Sequence, residues 1–249
     1  MQYTFKNIIT SLPQTKNSKS SWWVKLWVRK ASFIFTYLFI NLGWSSNAVS
    51  YLSIFISLAA CICFTIPNSS TLITAVILIN FWLILDCVDG NIARCKKQKK
   101  TYGEFIDAMS GYFTVAFVYI ALGIASYNNG GIIFAKGNID IIIIGAIASI
   151  CDILARLIYV NFCSVKTTDD IGQIEKQKTE KKHTINYLRK RISKEFGLSG
   201  LFMPLTICGL LFNCFDFIVI FYFAFNGFAL ISTTIMYAWK AEKYDNNRL

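Results

Sequence analysis

The sequence predicts an all-α integral membrane protein: six transmembrane helices preceded by an N-terminal interfacial amphipathic helix. Three observations carry that expectation. Hydrophobic residues make up 55% of the 249-residue chain and charged residues only 16%, with a mean hydropathy of +0.47, a membrane-protein balance. The apolar residues fall into six runs long enough to approach a bilayer's roughly 30 Å hydrocarbon core. The cations gather in alternate connections.

The chain divides into three parts. Residues 1–45 are read as a polar tail (1–20) followed by an interfacial helix. In Trp22-Trp23-Val24-Lys25-Leu26-Trp27-Val28-Arg29-Lys30 aromatics alternate with cations, a composition that lies in the headgroup region with tryptophans down and charges out. Ala31–Leu42 is apolar but short, an interfacial stretch or lead-in broken at Gly43. Residues 46–240 form the bundle, and 241–249 a polar tail. The expected spans are Asn47–Ile66, Thr71–Arg94, Gly103–Tyr127, Ile139–Cys163, Leu198–Asn213 and Phe217–Trp239. Pro67-Asn68 stops the first, and Asn128-Asn129-Gly130-Gly131 turns the chain after the third. The first twenty residues show no secretory signal. The eight cysteines lie mostly in or beside apolar segments without paired zinc-type spacing, which points to buried hydrophobes rather than a disulfide framework.

Charge placement gives the orientation. Of 25 lysines and arginines, 23 lie before the first span, after the second and fourth, and at the C-terminus. The positive-inside rule then puts both termini in the cytoplasm, which requires an even number of spans. The expected location is the bacterial inner membrane. The net charge of +11 belongs to these connections and to lipid headgroups, so no nucleic acid is expected.

The chemistry concentrates between Asp86 and Gly111. The apolar run Thr71–Leu85 covers only about 22 Å as a helix, so completing the crossing carries Asp86 and Asp89 to membrane depth. Carboxylates there are costly and face a bundle interior or wet cavity. Asp86 and Asp89 share a helix face, and after a basic turn Asp107 enters the next span. The hairpin is expected to aim all three at one point, a hard-oxygen donor set for Mg²⁺, Mn²⁺ or Ca²⁺.

Asp86-x2-Asp89-Gly90-x2-Ala93-Arg94-x8-Gly103-x3-Asp107 resembles the signature of the CDP-alcohol phosphatidyltransferases, Asp-x2-Asp-Gly-x2-Ala-Arg-x8-Gly-x3-Asp-x3-Asp. Seven of its eight fixed positions agree, and Asn47-x2-Ser50 is similar to the opening of that family's first span. The resemblance implies that Asp86, Asp89 and Asp107 ligate the metal, Mg²⁺ or Mn²⁺ above all. It also implies that Gly90, Ala93, Arg94 and Gly103 line a cytidine-diphosphate slot, and that Arg156 and Lys166 hold the acceptor. The donor would be a CDP-alcohol such as CDP-diacylglycerol, the product CMP, and the assembly a homodimer in contact with membrane lipid. One position departs. The last Asp of the signature is Gly111 here, which offers neither a ligand nor a base. Glu104 lies seven residues away, about 10 Å along the axis, too far to replace it. Asp152 in the fourth span could approach from a neighbouring helix, although Arg156 four residues on invites an internal ion pair. An acceptor already ionised would need no base. A catalytically silent relative that binds nucleotide-linked lipid or metal is the alternative. An ion transporter is a third, disfavoured because no internal repeat with broken helices is visible. His183, the only histidine, has no partner at ligand spacing and is given no role.

Overall fold

The computed structural model describes residues 3–13, 18, 20–97, 101–170 and 191–246. All regular structure among them is helical. The helices are α1 (Phe5–Thr10), α2 (Arg29–Asn41, entered through a π-helical turn at Val24–Val28) and α3 (Ser46–Thr65). They continue with α4 (Ser69–Cys95), α5 (Thr101–Asn129), α6 (Asp140–Asp170), α7 (Met203–Phe212, entered through a π-helical stretch at Leu198–Phe202) and α8 (Phe215–Asn246).

Six segments are long and apolar enough to cross a membrane: Ser46–Thr65, Ser69–Cys95, Thr101–Asn129, Asp140–Val165, Arg191–Phe212 and Phe215–Lys243. They overlap the six expected spans. Local chemistry sets several ends. Ser45 caps α3 by accepting from the Ala48 N–H at 3.1 Å, and Asn68 caps α4 by accepting from Ser70 N–H at 3.0 Å, each satisfying a donor the helix cannot. Asn213, left-handed at φ +50°, ends α7 and lets α8 start two residues later.

α3 packs against both α4 and α5, and α6 lies between α5 and α8, while α7 leans on α4 and α8. The interior is aromatic and aliphatic: Phe64, Ile79, Tyr119, Phe202 and Tyr222 are fully buried, and the Tyr119 and Tyr222 rings stand 5.2 Å apart. Small residues draw α5 and α6 together. A Cβ on Gly145 would stand 2.5 Å from the Tyr119 carbonyl oxygen, and one on Gly123 2.8 Å from that of Ile141. Backbones approach this closely only where a side chain is missing. All eight cysteines are free thiols, most of them at least partly buried.

The N-terminal region departs from expectation in two ways. The segment read as a polar tail contains α1, whose Ile8 is fully buried in a small core with Ile40, Val49, Leu85, Val88 and Ile92. Tyr3 N–H also donates to Asn41 Oδ1 at 3.0 Å. Ile8 docks the helix, helped by the Phe5 ring edge-on to Tyr37 at 6.2 Å. The amphipathic reading also fails at Arg29. Trp27, Lys25 and Lys30 are exposed, but Arg29 is only 7% exposed. It lies on the inward face of α2 with Ser32, Thr36 and Ile40, one stripe at helical spacing, and that face packs on α4.

Candidate metal and nucleotide site

The site begins with α4. Its 27 residues extend about 40 Å, so the helix carries Asp86 and Asp89 beyond its apolar half before it ends at Cys95. Asp89 is 4% exposed, Asp86 half-buried, and Asp107 on α5 exposed. The charges of Asp86 and Asp107 both act on Asp89. Acids from two successive helices therefore share one electrostatic neighbourhood.

The opening turns of α3 brace this arrangement. Ser50 donates its hydroxyl to Asp89 Oδ2 at 2.5 Å, and Ser46 donates to the Asp89 backbone oxygen at 2.9 Å. A Cβ on Gly103 would stand 3.3 Å from Asn47 Oδ1, so glycine lets the start of α5 close onto α3. Further along, Ser53 and Ser110 share a hydrogen bond of 2.7 Å between their hydroxyls. Trp82 Nε1–H donates to the same Ser110 oxygen at 2.9 Å. Serines from α3 and α5 and a tryptophan from α4 thus fix the three helices in register beside the acids.

The donor set suits a divalent cation in kind: hard carboxylate oxygens within electrostatic reach of one another, one of them almost fully buried. Their side chains are not drawn into a finished metal centre, since among the described residues no three His, Cys, Asp or Glu stand in a metal-holding group. The remaining motif positions of α4 follow the acids along the helix. Gly90, Ala93 and Arg94 continue along α4, each half-buried. The Arg94 guanidinium donates through Nη2 to Asn91 Oδ1, while its Nε is buried with no partner.

Gly111 lies on α5, one helical turn beyond Asp107, and a Cβ there would meet nothing within 4 Å. Glu104 is exposed. Asp152 is engaged: Arg156 Nε donates to its Oδ1 at 2.7 Å, an ion pair along α6. Tyr112 and Tyr119 of α5 lie within electrostatic reach of Arg156, which sets this pair against the helix that carries Gly111. Lys166 is on α6, but its side chain lies outside the described residues, as does His183 altogether. Ser50, Asn91 and Arg29 were not singled out as site residues from sequence. The Asn-x2-Ser opening was the available signal for the first; single polar residues in α4 and α2 gave none for the others.

These features define an all-α membrane protein with an acidic hairpin formed by the end of α4 and the start of α5. A family model for CDP-alcohol phosphatidyltransferase matches residues 44–188, more than half of the chain, and the protein belongs to that family. No curated protein matches the sequence. The family transfers phosphatidyl-type groups from CDP-alcohols to alcohol acceptors and generally depends on divalent metal.

Proposed function

We propose that the protein transfers a phospho-alcohol group from a CDP-alcohol, such as CDP-diacylglycerol, to a polar acceptor and releases CMP. The observation that carries this reading is the buried Asp89 carboxylate, braced by Ser50 and acted on by the charges of Asp86 and Asp107. Like charges gathered at low dielectric call for a cation. Asp86, Asp89 and Asp107 would hold Mg²⁺ or Mn²⁺, with Ca²⁺ also suited to the donor set. Bound there, the metal supplies charge neutralisation at the diphosphate oxygens.

The chain's own residues do the rest. Gly90 and Ala93 keep the face of α4 shallow so that the diphosphate can approach, and Gly103 does the same on α5. Arg94 offers forked donors to a phosphate. An acceptor oxygen attacks the phosphorus that bears the lipid alcohol, the bond to the CMP oxygen breaks, and CMP departs as the anion. Gly111 has no side chain to take a proton and Asp152 is paired with Arg156. Both observations favour an acceptor whose attacking oxygen is already ionised, a phosphate or carboxylate, with Arg156 and Lys166 holding it. Family resemblance supports a homodimer, and the cation distribution supports cytoplasmic termini and a bacterial inner membrane.

The second reading is a silent relative that binds nucleotide-linked lipid without turnover, favoured by Gly111 alone. The full-length protein in nanodiscs, given CDP-diacylglycerol, Mg²⁺ or Mn²⁺ and a lipid extract as acceptor source, is expected to release CMP. Asp89→Asn should abolish that release while still inserting. Donor binding without CMP would favour the silent relative. Neither binding nor release would remove the transferase reading.

A further inference from the structure

Two arginines stand within electrostatic reach of each other, and the structure leaves the same nitrogen of each without an acceptor. Arg29 comes from α2 and Arg94 from the end of α4, and the Arg29 charge acts on Arg94. Arg29 Nε and Arg94 Nε are both buried with no hydrogen-bond partner. Among the described residues, neither guanidinium is ion-paired with a carboxylate.

The polar groups between them are already committed. Arg29 Nη2 donates to Ser20 Oγ at 2.9 Å, and Arg94 Nη2 donates to Asn91 Oδ1. The fully buried Asn91 turns its Nδ2 to Ser32 Oγ at 3.3 Å and Thr36 Oγ1 at 3.0 Å. Those hydroxyls donate to backbone oxygens of α2, Ser32 to Arg29 at 2.8 Å and Thr36 to Ser32 at 2.6 Å. What remains is two buried N–H donors on two neighbouring positive charges. The Asp89 charge reaches Arg94 as well, but that carboxylate is hydrogen-bonded to Ser50 and forms no ion pair with either arginine. Buried polar groups are almost always satisfied, and crowded like charges are costly. An anion that accepts from two guanidinium groups at once would satisfy both donors, the geometry in which arginine prefers phosphate.

We propose that Arg29 and Arg94 form a two-guanidinium receptor for a phosphate group, with α2 serving as one wall of the ligand site. Arg94 follows Asp89 by five residues, about 7.5 Å along the axis, so the receptor adjoins the acids. A phosphate there belongs to the diphosphate of the donor, an assignment that rests on the transferase reading. An anionic lipid headgroup presents the same chemistry and is separated from it by the test.

The test uses the full-length protein in neutral phosphatidylcholine nanodiscs, comparing wild type with Arg29→Gln. The first arm titrates CDP with Mg²⁺; the second incorporates phosphatidate without nucleotide; cytidine alone is the control lacking phosphate. Arg29→Gln is expected to weaken CDP binding about 10- to 100-fold, the scale of a charge-assisted hydrogen bond, with cytidine binding unchanged. It should also remove most of the rise in Tm that CDP gives, without lowering Tm in the absence of ligand, because one of two crowded charges is gone. Loss confined to the phosphatidate arm would still establish the receptor and assign it to a headgroup.

Wild-type binding in both arms would overturn the proposal. So would a lower ligand-free Tm with the ligand-induced rise intact, the result of a purely structural arginine. Should Arg29→Gln not fold, Arg29→Lys keeps the charge but loses the fork; intermediate weakening is expected, and wild-type affinity would overturn the proposal. A wild-type protein that releases no CMP would remove the transferase reading while leaving the contrast in CDP binding intact.

Discussion

The Ser50 hydroxyl reaches from α3 to Asp89 Oδ2 at 2.5 Å, joining the opening of the first span to the most deeply buried acid of the second. A hydrogen bond to a charged group contributes about 1.5–3 kcal/mol. Ser50→Ala is therefore expected to lower kcat/KM for CMP release by about tenfold or more, with Ser50→Thr retaining most of it. Steady-state CMP release from nanodisc-embedded protein checks this, and an unaffected alanine variant would remove Ser50 from the support of Asp89.

The open space at Gly111 gives the clearest gain-of-function experiment. A side chain there meets no atom within 4 Å, so Gly111→Asp is expected to fold like wild type. Glycine already disfavours a helix interior by about 1 kcal/mol, which leaves no propensity barrier to the change. With a base restored beside Asp107, CMP release to a neutral hydroxyl acceptor should rise about tenfold or more. A fall would indicate that the acceptor occupies the space.

The contact between α5 and α6 is limited by backbone atoms that cannot step aside. Gly145→Ala would push a methyl group against the Tyr119 carbonyl oxygen. Overpacking of this kind typically costs about 1–3 kcal/mol, partly offset by the roughly 1 kcal/mol that alanine gains over glycine in a helix. A lower Tm in detergent is expected, and Gly145→Val should be worse.

Asp216 is a buried acid of a different kind. It is fully buried, and its carboxylate accepts from the N–H groups of Ile133 at 2.5 Å, Phe134 at 3.0 Å and Phe217 at 2.8 Å. A side chain at Gly131 would overlap that carboxylate. Asp216→Ala should orphan these donors at about 1–3 kcal/mol each. The expected result is a clear loss of thermal stability with CMP release per folded molecule preserved, unlike the loss expected from Asp89→Asn.

The spans and the acidic hairpin were legible because membrane insertion writes them in simple terms: long apolar runs, caps at Ser45 and Asn68, and carboxylates where none should be. The Asp152–Arg156 pair was legible from spacing alone. Arg29 was not. In a segment of tryptophans, lysines and arginines, composition says that a helix lies at an interface but leaves open which cation turns inward. That choice is made by Asn91, Ser32 and Thr36, polar residues whose pairing crosses more than fifty positions of chain. Ile8 posed the same problem: in a segment this short, the apolar residues Phe5, Ile8 and Ile9 do not reveal which of them turns inward until α2, α3 and α4 supply the core that receives Ile8.

Asn91 takes both of its side-chain acceptors on α2 from residues that precede position 44, where the family match begins. A transplant of the matched region onto a foreign membrane anchor would thus strip this asparagine of Ser32 and Thr36 and unseat Arg94 with it. Chimeras meant to exchange substrate preference must keep α2 and the acidic hairpin from the same parent.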